Sequence, residues 1–502
     1  MWYAVGIAGV VVTVETPNVQ RMATAIPVFA FLPALVLDSL ARRVEAVVPL
    51  ATVRAHRVVA VGATAMVAAV MAVLMLGQWR FYFVTYGAMD EWSGATLMGT
   101  TVRDQGEDTD VFTMGRQAHI VNQGWVRLLA PETPRGGIPF PGSELPLAVE
   151  SNNQNLAIMV MPQQPHYLPY LRDVYPGAKE TRVFDRNDFL CTMFRISKEQ
   201  RAATLGALVT PPQGAPLRVE HLGEAPPNWS TYPSSMRWTA MWRVPRYWNH
   251  ALRIGPGPAR LTIDGTTVLT VRAGEDVQST EVALAQGDHF VEYDGTLAAP
   301  GKSAVLEWAQ IQRPEPGQPV PPLDWRPIPL GRLRPEQDGP DGLFGVITSD
   351  GRPEQHRLDG TLATGSLSSQ TRIGGRLFTT TWTGTLHAPV SGTYGMGLFT
   401  QGNVDLRIDG QLVLHSDGPR DEPIEGRIEL QAGPHPVAVV YEVRDGPGGL
   451  EWTWTPPGGE RSIVPRSVLT PPPSVGVGPP VPFEALGAGD AMPVEPPIEI
   501  AR

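Results

Sequence analysis

The sequence predicts a multi-domain chain in which two or three transmembrane helices precede a small α/β domain and two tandem β-sandwiches. Three observations predict this. An uncharged apolar run of membrane-crossing length lies near the start, strand-like and helix-like patterns alternate after it, and four sequence blocks occur twice in the second half. The chain of 502 residues also exceeds one ordinary domain of about 100–200 residues. Shifts in composition divide it into membrane helices over 1–80, an α/β domain over 81–200, a first and more degenerate sandwich over 201–312, a Pro-rich linker over 313–335, a second sandwich over 336–470 and a Pro-rich tail over 471–502.

The first element rests on Val58 to Gly77, twenty residues without a charge. That length crosses about 30 Å of hydrocarbon as a helix. A second run from Met22 to Leu40 contains only Asp38, and a shorter one spans Trp2 to Val14. Arg42, Arg43, Arg54 and Arg57 lie between the two longer runs. The positive-inside rule puts that loop in the cytoplasm, and so expects the rest of the chain on the extracytoplasmic side of a cell membrane. Trp79, Phe81, Tyr82, Phe83 and Tyr86 then read as an interfacial aromatic belt.

The α/β domain is read from helical patterns at Trp92 to Arg103, His119 to Leu129 and Tyr167 to Asp173, interleaved with strand patterns at Asp110 to Met114, Leu156 to Met161 and Phe189 to Ile196. Such alternation suggests a parallel or mixed sheet covered by helices. No glycine-rich phosphate loop or dinucleotide fingerprint is present, so no cofactor is expected. His119 and His166 have no second ligand at i+3 or i+4, and the acidic cluster Asp104, Glu107, Asp108 and Asp110 fills a turn where a solvated loop is the simplest reading. Cys191, the single cysteine, sits in an apolar run and reads as a buried thiol. Neither a catalytic residue nor a metal ligand is assigned. A net charge of -10 removes nucleic acid from the partners, because phosphate binding needs a concentrated Lys/Arg surface.

The sandwiches are read from the repeat. Trp238 to Pro245 matches Trp382 to Pro389, and Arg260 to Gly265 matches Asp405 to Gly410. Val282, Leu284, Gly287 and His289 match Ile428, Leu430, Gly433 and His435, and Leu306-Glu307-Trp308 matches Leu450-Glu451-Trp452. In the second block, apolar residues alternate toward Asp264-Gly265 and Asp409-Gly410, the dipeptide that a tight hairpin turn takes. The tryptophans read as core plugs between two sheets. Both the linker and the tail, rich in proline, read as semi-rigid spacers or disordered segments.

The second copy resembles the protective-antigen fourteen-kilodalton domain family. The resemblance is carried by Phe378 to Pro389, Ser391-Gly392-Thr393-Tyr394, Ile408-Asp409-Gly410, Leu430 to His435, Tyr441 and Trp454 to Gly459. It implies a β-sandwich that often binds glycans, with cell-surface glycans as partners. In calcium-dependent lectin members a pair of aspartates precedes the strand leading to the Asp-Gly turn. That place reads Thr400-Gln401-Gly402-Asn403-Val404 here and Gly255 to Ala259 in the first copy, without the charged ligands that Ca²⁺ takes. For a glycan bound by the second copy, the candidate residues are Asn403, Asp405, Asp417 and Asp421.

The run Glu15-Thr16-Pro17-Asn18, Arg21 and Ala25-Ile26-Pro27, with Arg80-Phe81-Tyr82-Phe83 further on, resembles the late membrane helices of GT-C glycosyltransferases that use polyprenyl-phosphate sugars. The resemblance implies the non-catalytic C-terminal part of such an enzyme, since the early acidic catalytic loop is absent. It makes the lipid bilayer and a catalytic membrane subunit expected partners. Three functions are therefore expected in order: a membrane-anchored display of carbohydrate-binding sandwiches, a subunit or fragment of an active glycosyltransferase, and a spacer without ligand.

Overall fold

In the computed structural model, the described residues are 90–114, 124–133, 142–146, 154–185, 188–312, 321–365, 377–420, 422–444 and 448–486, with 367, 446 and scattered positions between 39 and 80. Two compact units divide the chain, Met1–Ser93 and Gly94–Arg502. The fold is mostly β-sheet, with short helices. No helix among the described residues is long and apolar enough to cross a membrane. This corrects the expectation of two or three transmembrane helices over 1–80. Absence of charge over twenty residues reports what a segment can dissolve in and not what it builds. The runs at 2–14 and 22–37 lie outside the described residues.

A four-stranded mixed sheet follows helix α1 (Asp90–Arg103). Its strands are β1 (Thr109–Met114), β2 (Asn155–Val160), β3 (Lys179–Asp185) and β4 (Asp188–Ile196), in the order β1-β2-β4-β3. β1 and β2 run parallel in register from Thr109↔Asn155 to Met114↔Val160, and β4 is antiparallel to both of its neighbours. Leu156 and Ile158 pack with helix α2 (Tyr167–Val174) through Tyr167, Tyr170 and Leu171. Ala157, Met159 and Cys191 pack on the other face with Met98 and Val102 of α1. A serine cap with a reciprocal glutamine, Ser197 and Gln200, starts helix α3 (Lys198–Ala203), two satisfied donors that fix where the chain leaves the sheet.

Two sandwiches follow. In the first, one sheet centres on β5 (Ser234–Val244), β7 (Ala259–Ile263) and β9 (Gln286–Leu297), and the other holds β6 (Trp248–Gly255), β8 (Gln278–Leu284) and β10 (Val305–Gln310). In the second, one sheet contains β11 (Leu343–Ser349), β12 (Arg352–Asp359), β13 (Phe378–Ala388), β15 (Asn403–Ile408), β16 (Gln411–Ser416) and β18 (Gly433–Val443). The other contains β14 (Gly392–Thr400), β17 (Ile424–Leu430) and β19 (Leu450–Thr455). Trp238, Trp308, Trp382 and Trp452 are all buried between sheets, each worth roughly 4–6 kcal/mol of apolar transfer if it hides about 150–250 Å².

The two copies share one 14-stranded sheet. β9 of the first pairs in parallel with β12 of the second through Gln286↔Arg357 and Gly287↔Leu358. Gly287 has φ +125°, and a Cβ there would lie 1.8 Å from the Leu358 carbonyl oxygen, so the joint needs glycine. Beside it, Asp288 receives both Arg243 (2.7 and 2.8 Å) and Arg466 (2.8 Å), while Arg466 also donates to the Leu145 carbonyl. One buried carboxylate therefore ties the α/β segment, the first sandwich and the end of the second. Burial opposes its charge, but the two guanidinium groups win and hold its pKa far below the usual carboxylate range.

The tail differs from its reading as a spacer. Val477–Gly478 pairs with β8 at Leu284 and Ala283, and Asn249 holds Val481 at both backbone groups, its amide donating to the carbonyl (2.7 Å) and its oxygen accepting the N–H (3.0 Å). Phe483 and Leu486 then pack against Trp248 and Ala283. From the linker, Leu323 and Trp325 pack with Ala251, Ala309 and Ile311 of the same sheet.

Candidate functional site

The site suggested by the sequence lies at the loop end of the second sandwich. The turn between β14 and β15 is closed by Thr400, whose hydroxyl donates to the Gly402 carbonyl (2.7 Å) and accepts the Gly402 N–H (3.1 Å). The loop after β16 is tied to this turn by the Arg420 N–H, which donates to the Thr400 carbonyl at 2.9 Å. Between Ser416 and Pro423 that loop walls a hollow of about 570 Å³, lined also by Asp417, Arg420 and Glu422. The volume is in the range of small-ligand sites.

The structure joins two of the four candidates, Asp405 and Asp417, through a histidine. Asp405 and His415 face each other across the β15/β16 hairpin, with the carboxylate accepting from Nδ1 at 2.7 Å. His415 Nε2 lies 3.0 Å from the Asp417 carboxylate, which is 92% exposed at the rim of the hollow. The hydrogen bond to Asp405, with the Asp417 charge second, raises the imidazole pKa. The intervening histidine escaped the sequence reading, although the Asp409-Gly410 turn fixes the register that puts it there. Asn403 shares the strand face of Asp405, yet its amide donates to Glu442 at 3.2 Å on the far strand. Asp421 lies outside the described residues.

The repeated histidines serve the fold. His289 Nδ1 lies 2.6 Å from Asp264 and its Nε2 lies 2.9 Å from the Ala285 carbonyl. His435 repeats this with Asp409 (2.7 Å) and the Gln431 carbonyl (2.7 Å). A carbonyl and a carboxylate both accept hydrogen bonds, so the two contacts of each ring favour its doubly protonated, imidazolium form. Burial works against this charge, and the aspartate and carbonyl more than offset it, so both pKa values are raised. Each ring bolts the Asp-Gly turn to the neighbouring strand.

In the α/β domain, Asp104, Glu107 and Asp108 are exposed, but Asp110 is buried and ion-paired with Arg201 at 3.0 Å, which corrects its reading as a solvated loop residue. Burial is the largest influence on Asp110 and raises its pKa. His166 stacks on Phe399 with ring centroids 5.9 Å apart, where Tyr167 donates to Glu451, and so packs this domain against the second sandwich. His119 lies outside the described residues. Burial pushes the Cys191 thiol up to about 12, which leaves it inert at neutral pH. Among the described residues no group of three or more His, Cys, Asp or Glu side chains could hold a metal ion.

Comparison with known proteins places a PA14 domain at residues 332–467. Solved structures similar to the chain include an anti-sigma factor domain-containing protein from Clostridium clariflavum, at 18% identity over 53% of this chain and 100% of that one, with a TM-score of 0.23. The PA14 domain of an antifreeze protein is similar at 12% identity, over 27% of this chain and 94% of that one, with a TM-score of 0.23. A PA14 sugar-binding domain from an RTX adhesin is similar at 18% identity, over 27% of this chain and 100% of that one, with a TM-score of 0.20. No curated protein matches the chain, and the glycosyltransferase resemblance of its first 200 residues gains no support.

Proposed function

We propose that the chain is a carbohydrate-binding protein whose second sandwich engages a glycan in the hollow between Ser416 and Pro423. The observation that carries the reading is the position of this hollow in a PA14 domain, beside the Thr400 to Val404 turn, where the resemblance puts the aspartate pair of calcium-dependent lectin members. Its groups suit a polyol. Asp417 and Glu422 accept hydrogen bonds from sugar hydroxyls, and Arg420 donates to ring and hydroxyl oxygens. His415 keeps Asp417 oriented while its imidazolium form persists. Binding of this kind proceeds without Ca²⁺, because the Thr400 to Val404 turn offers no carboxylate.

A glycan partner of this kind agrees with sandwiches displayed outside the cytoplasm. Protease added to intact cells should therefore remove residues 201–470. The direct test is a glycan array probed with the full chain, with and without EDTA. Binding that survives EDTA and weakens at least tenfold in Asp417→Ala is expected. Absence of any glycan signal, or a signal abolished by EDTA, refutes the reading.

A further inference from the structure

The two copies present the same sheet face to very different surroundings. On β14, Tyr394, Met396 and Leu398 enter the core of the second sandwich, so Thr393, Gly395 and Gly397 point outward. Across the three strands they form two rungs. Glu425, Gly397 and Thr453 make one, and Arg427, Gly395 and Thr455 the other. The first copy is brought into the same register by the pair Leu252↔Trp308, which corresponds to Leu398↔Trp452. Its rungs read Glu281, Ala251 and Ala309, then Ala283, Asn249 and Ile311.

In the first copy this face is filled by the chain itself. Asn249 grips the backbone of Val481, and Phe483 lies with Ala251, Ala309 and Ile311. In the second copy Ala251, Ala309 and Ile311 are replaced by Gly397, Thr453 and Thr455, and a trough of about 570 Å³ stands open, with Pro456 to Gly459 at one end. Its floor has no side chain at Gly395, so a flat ring can reach the backbone there, while Gly397 beside it is covered by Arg461.

The charge of the trough selects among polar ligands. Arg461 crosses it, donating to Glu425 (2.7 Å) and Thr453 (3.2 Å), but its Nη2 is out of solvent without a hydrogen-bond partner. That nitrogen sits over Gly397, 2.6 Å from where a Cβ would be. A buried unpaired donor costs about 1–3 kcal/mol until an acceptor arrives. Arg427 makes no ion pair among the described residues, so two guanidinium groups face one carboxylate in a protein of net charge -10. A guanidinium forms charge-assisted, often bidentate hydrogen bonds with a carboxylate. The hydroxyl of Thr455 suits a further oxygen of a sugar ring, whereas that of Thr453 is buried and donates to the Gly397 carbonyl at 3.2 Å.

We infer that this trough is a second saccharide-binding site, separate from the hollow at 416–423, and that it takes an acidic saccharide bearing a uronic carboxylate. It stands whether or not the hollow binds a glycan. Trigalacturonate, with maltotriose as a neutral control of equal length, tests it by calorimetry on the full chain at low salt. Trigalacturonate should bind at least tenfold more tightly than maltotriose, and raised salt should weaken it.

Two variants locate the ligand. Arg427→Gln removes an exposed charge without a partner to strand, and should weaken trigalacturonate at least tenfold. Gly395→Leu fills the floor, where a Cβ meets only Thr455 at 3.4 Å, and should abolish binding. Circular dichroism checks that both fold, and Arg427→Gln carries the test by itself if Gly395→Leu does not. Equal affinity for the two trisaccharides, no binding of either, or a loss with Asp417→Ala that Arg427→Gln does not share overturns the inference.

Discussion

Replacing His289 with alanine should destabilise the chain far more than the same change at His435, although the two occupy the same place in the repeat. His289 is fully buried, and its partner Asp264 is 3% exposed. Removing the ring leaves a buried carboxylate with only the Phe290 N–H at 2.8 Å, and breaking a buried ion pair in this way costs about 3–5 kcal/mol. At the second copy the side chain of Asp409 is 46% exposed, so water takes over much of the lost bond and the cost falls to about 1 kcal/mol. Urea unfolding at pH 6 measures both. The pH dependence adds an independent sign. The folded pKa of His289 is raised, so its contribution is complete below about 6.5, the value in an unfolded chain, and is lost as pH rises through the folded pKa. The stability gap between the parent chain and His289→Ala should therefore narrow from about pH 6.5 upward. A gap that stays constant or widens, or losses that are equal at the two histidines, would refute the imidazolium bolt.

Other consequences follow from single contacts. Asp288→Asn should cost about 3–5 kcal/mol in urea unfolding, because Arg243 and Arg466 are left facing a neutral group. Gly287→Ala and Gly433→Ala begin from nearly the same φ, +125° and +129°, so both carry strain of about 1–3 kcal/mol; only the first also meets the Leu358 carbonyl, and its larger loss of thermal stability measures the sheet joint between the sandwiches. Cys191 should resist a thiol reagent at pH 8 in the folded chain and react at once in urea, since burial has pushed its pKa up to about 12.

Features with a local physical signature were legible in the sequence. The Asp-Gly turns are one case: Asp264 and Asp409 adopt φ +49° and +52°, followed by Gly265 at +77° and Gly410 at +75°. The paired tryptophans are another, because a large apolar residue in an alternating pattern has few places to go but a core. What was not legible depends on residues far apart in the chain. No periodicity marks Gln286 and Gly287 as partners of Arg357 and Leu358, since backbone groups make that joint. Asp288 sat unnoticed between the repeat residues Gly287 and His289, because its partners come from other modules. Proline content concealed Val477, Val481 and Phe483, whose apolar spacing is short. The apolar run at 58–77 misled for the opposite reason, as a property of composition was read as a property of structure. At the loop end, Asp405 and Asp417 were legible as candidates while His415 between them was not, because only the hairpin register brings the three together.

Comparing the copies in register separates two kinds of position. The Trp238/Trp382 pair, the Asp-Gly turns and the Asp–His bolts are the same in both, and each of them faces the core or closes a turn. The outward rungs differ, as Ala251 against Gly397 and Ala309 against Thr453. Substitution on that face leaves the sandwich core untouched, so a duplicated module can change what covers it without losing stability. The first copy covers it with Val481 and Phe483 of its own chain. The polar residues of the second copy could not hold such a segment, since Phe483 would lie on Thr455 and Arg461, whose hydrogen-bonding groups it cannot satisfy. A ligand rich in oxygen is what that chemistry can hold, and Gly395→Leu separates it from a face that merely stays wet.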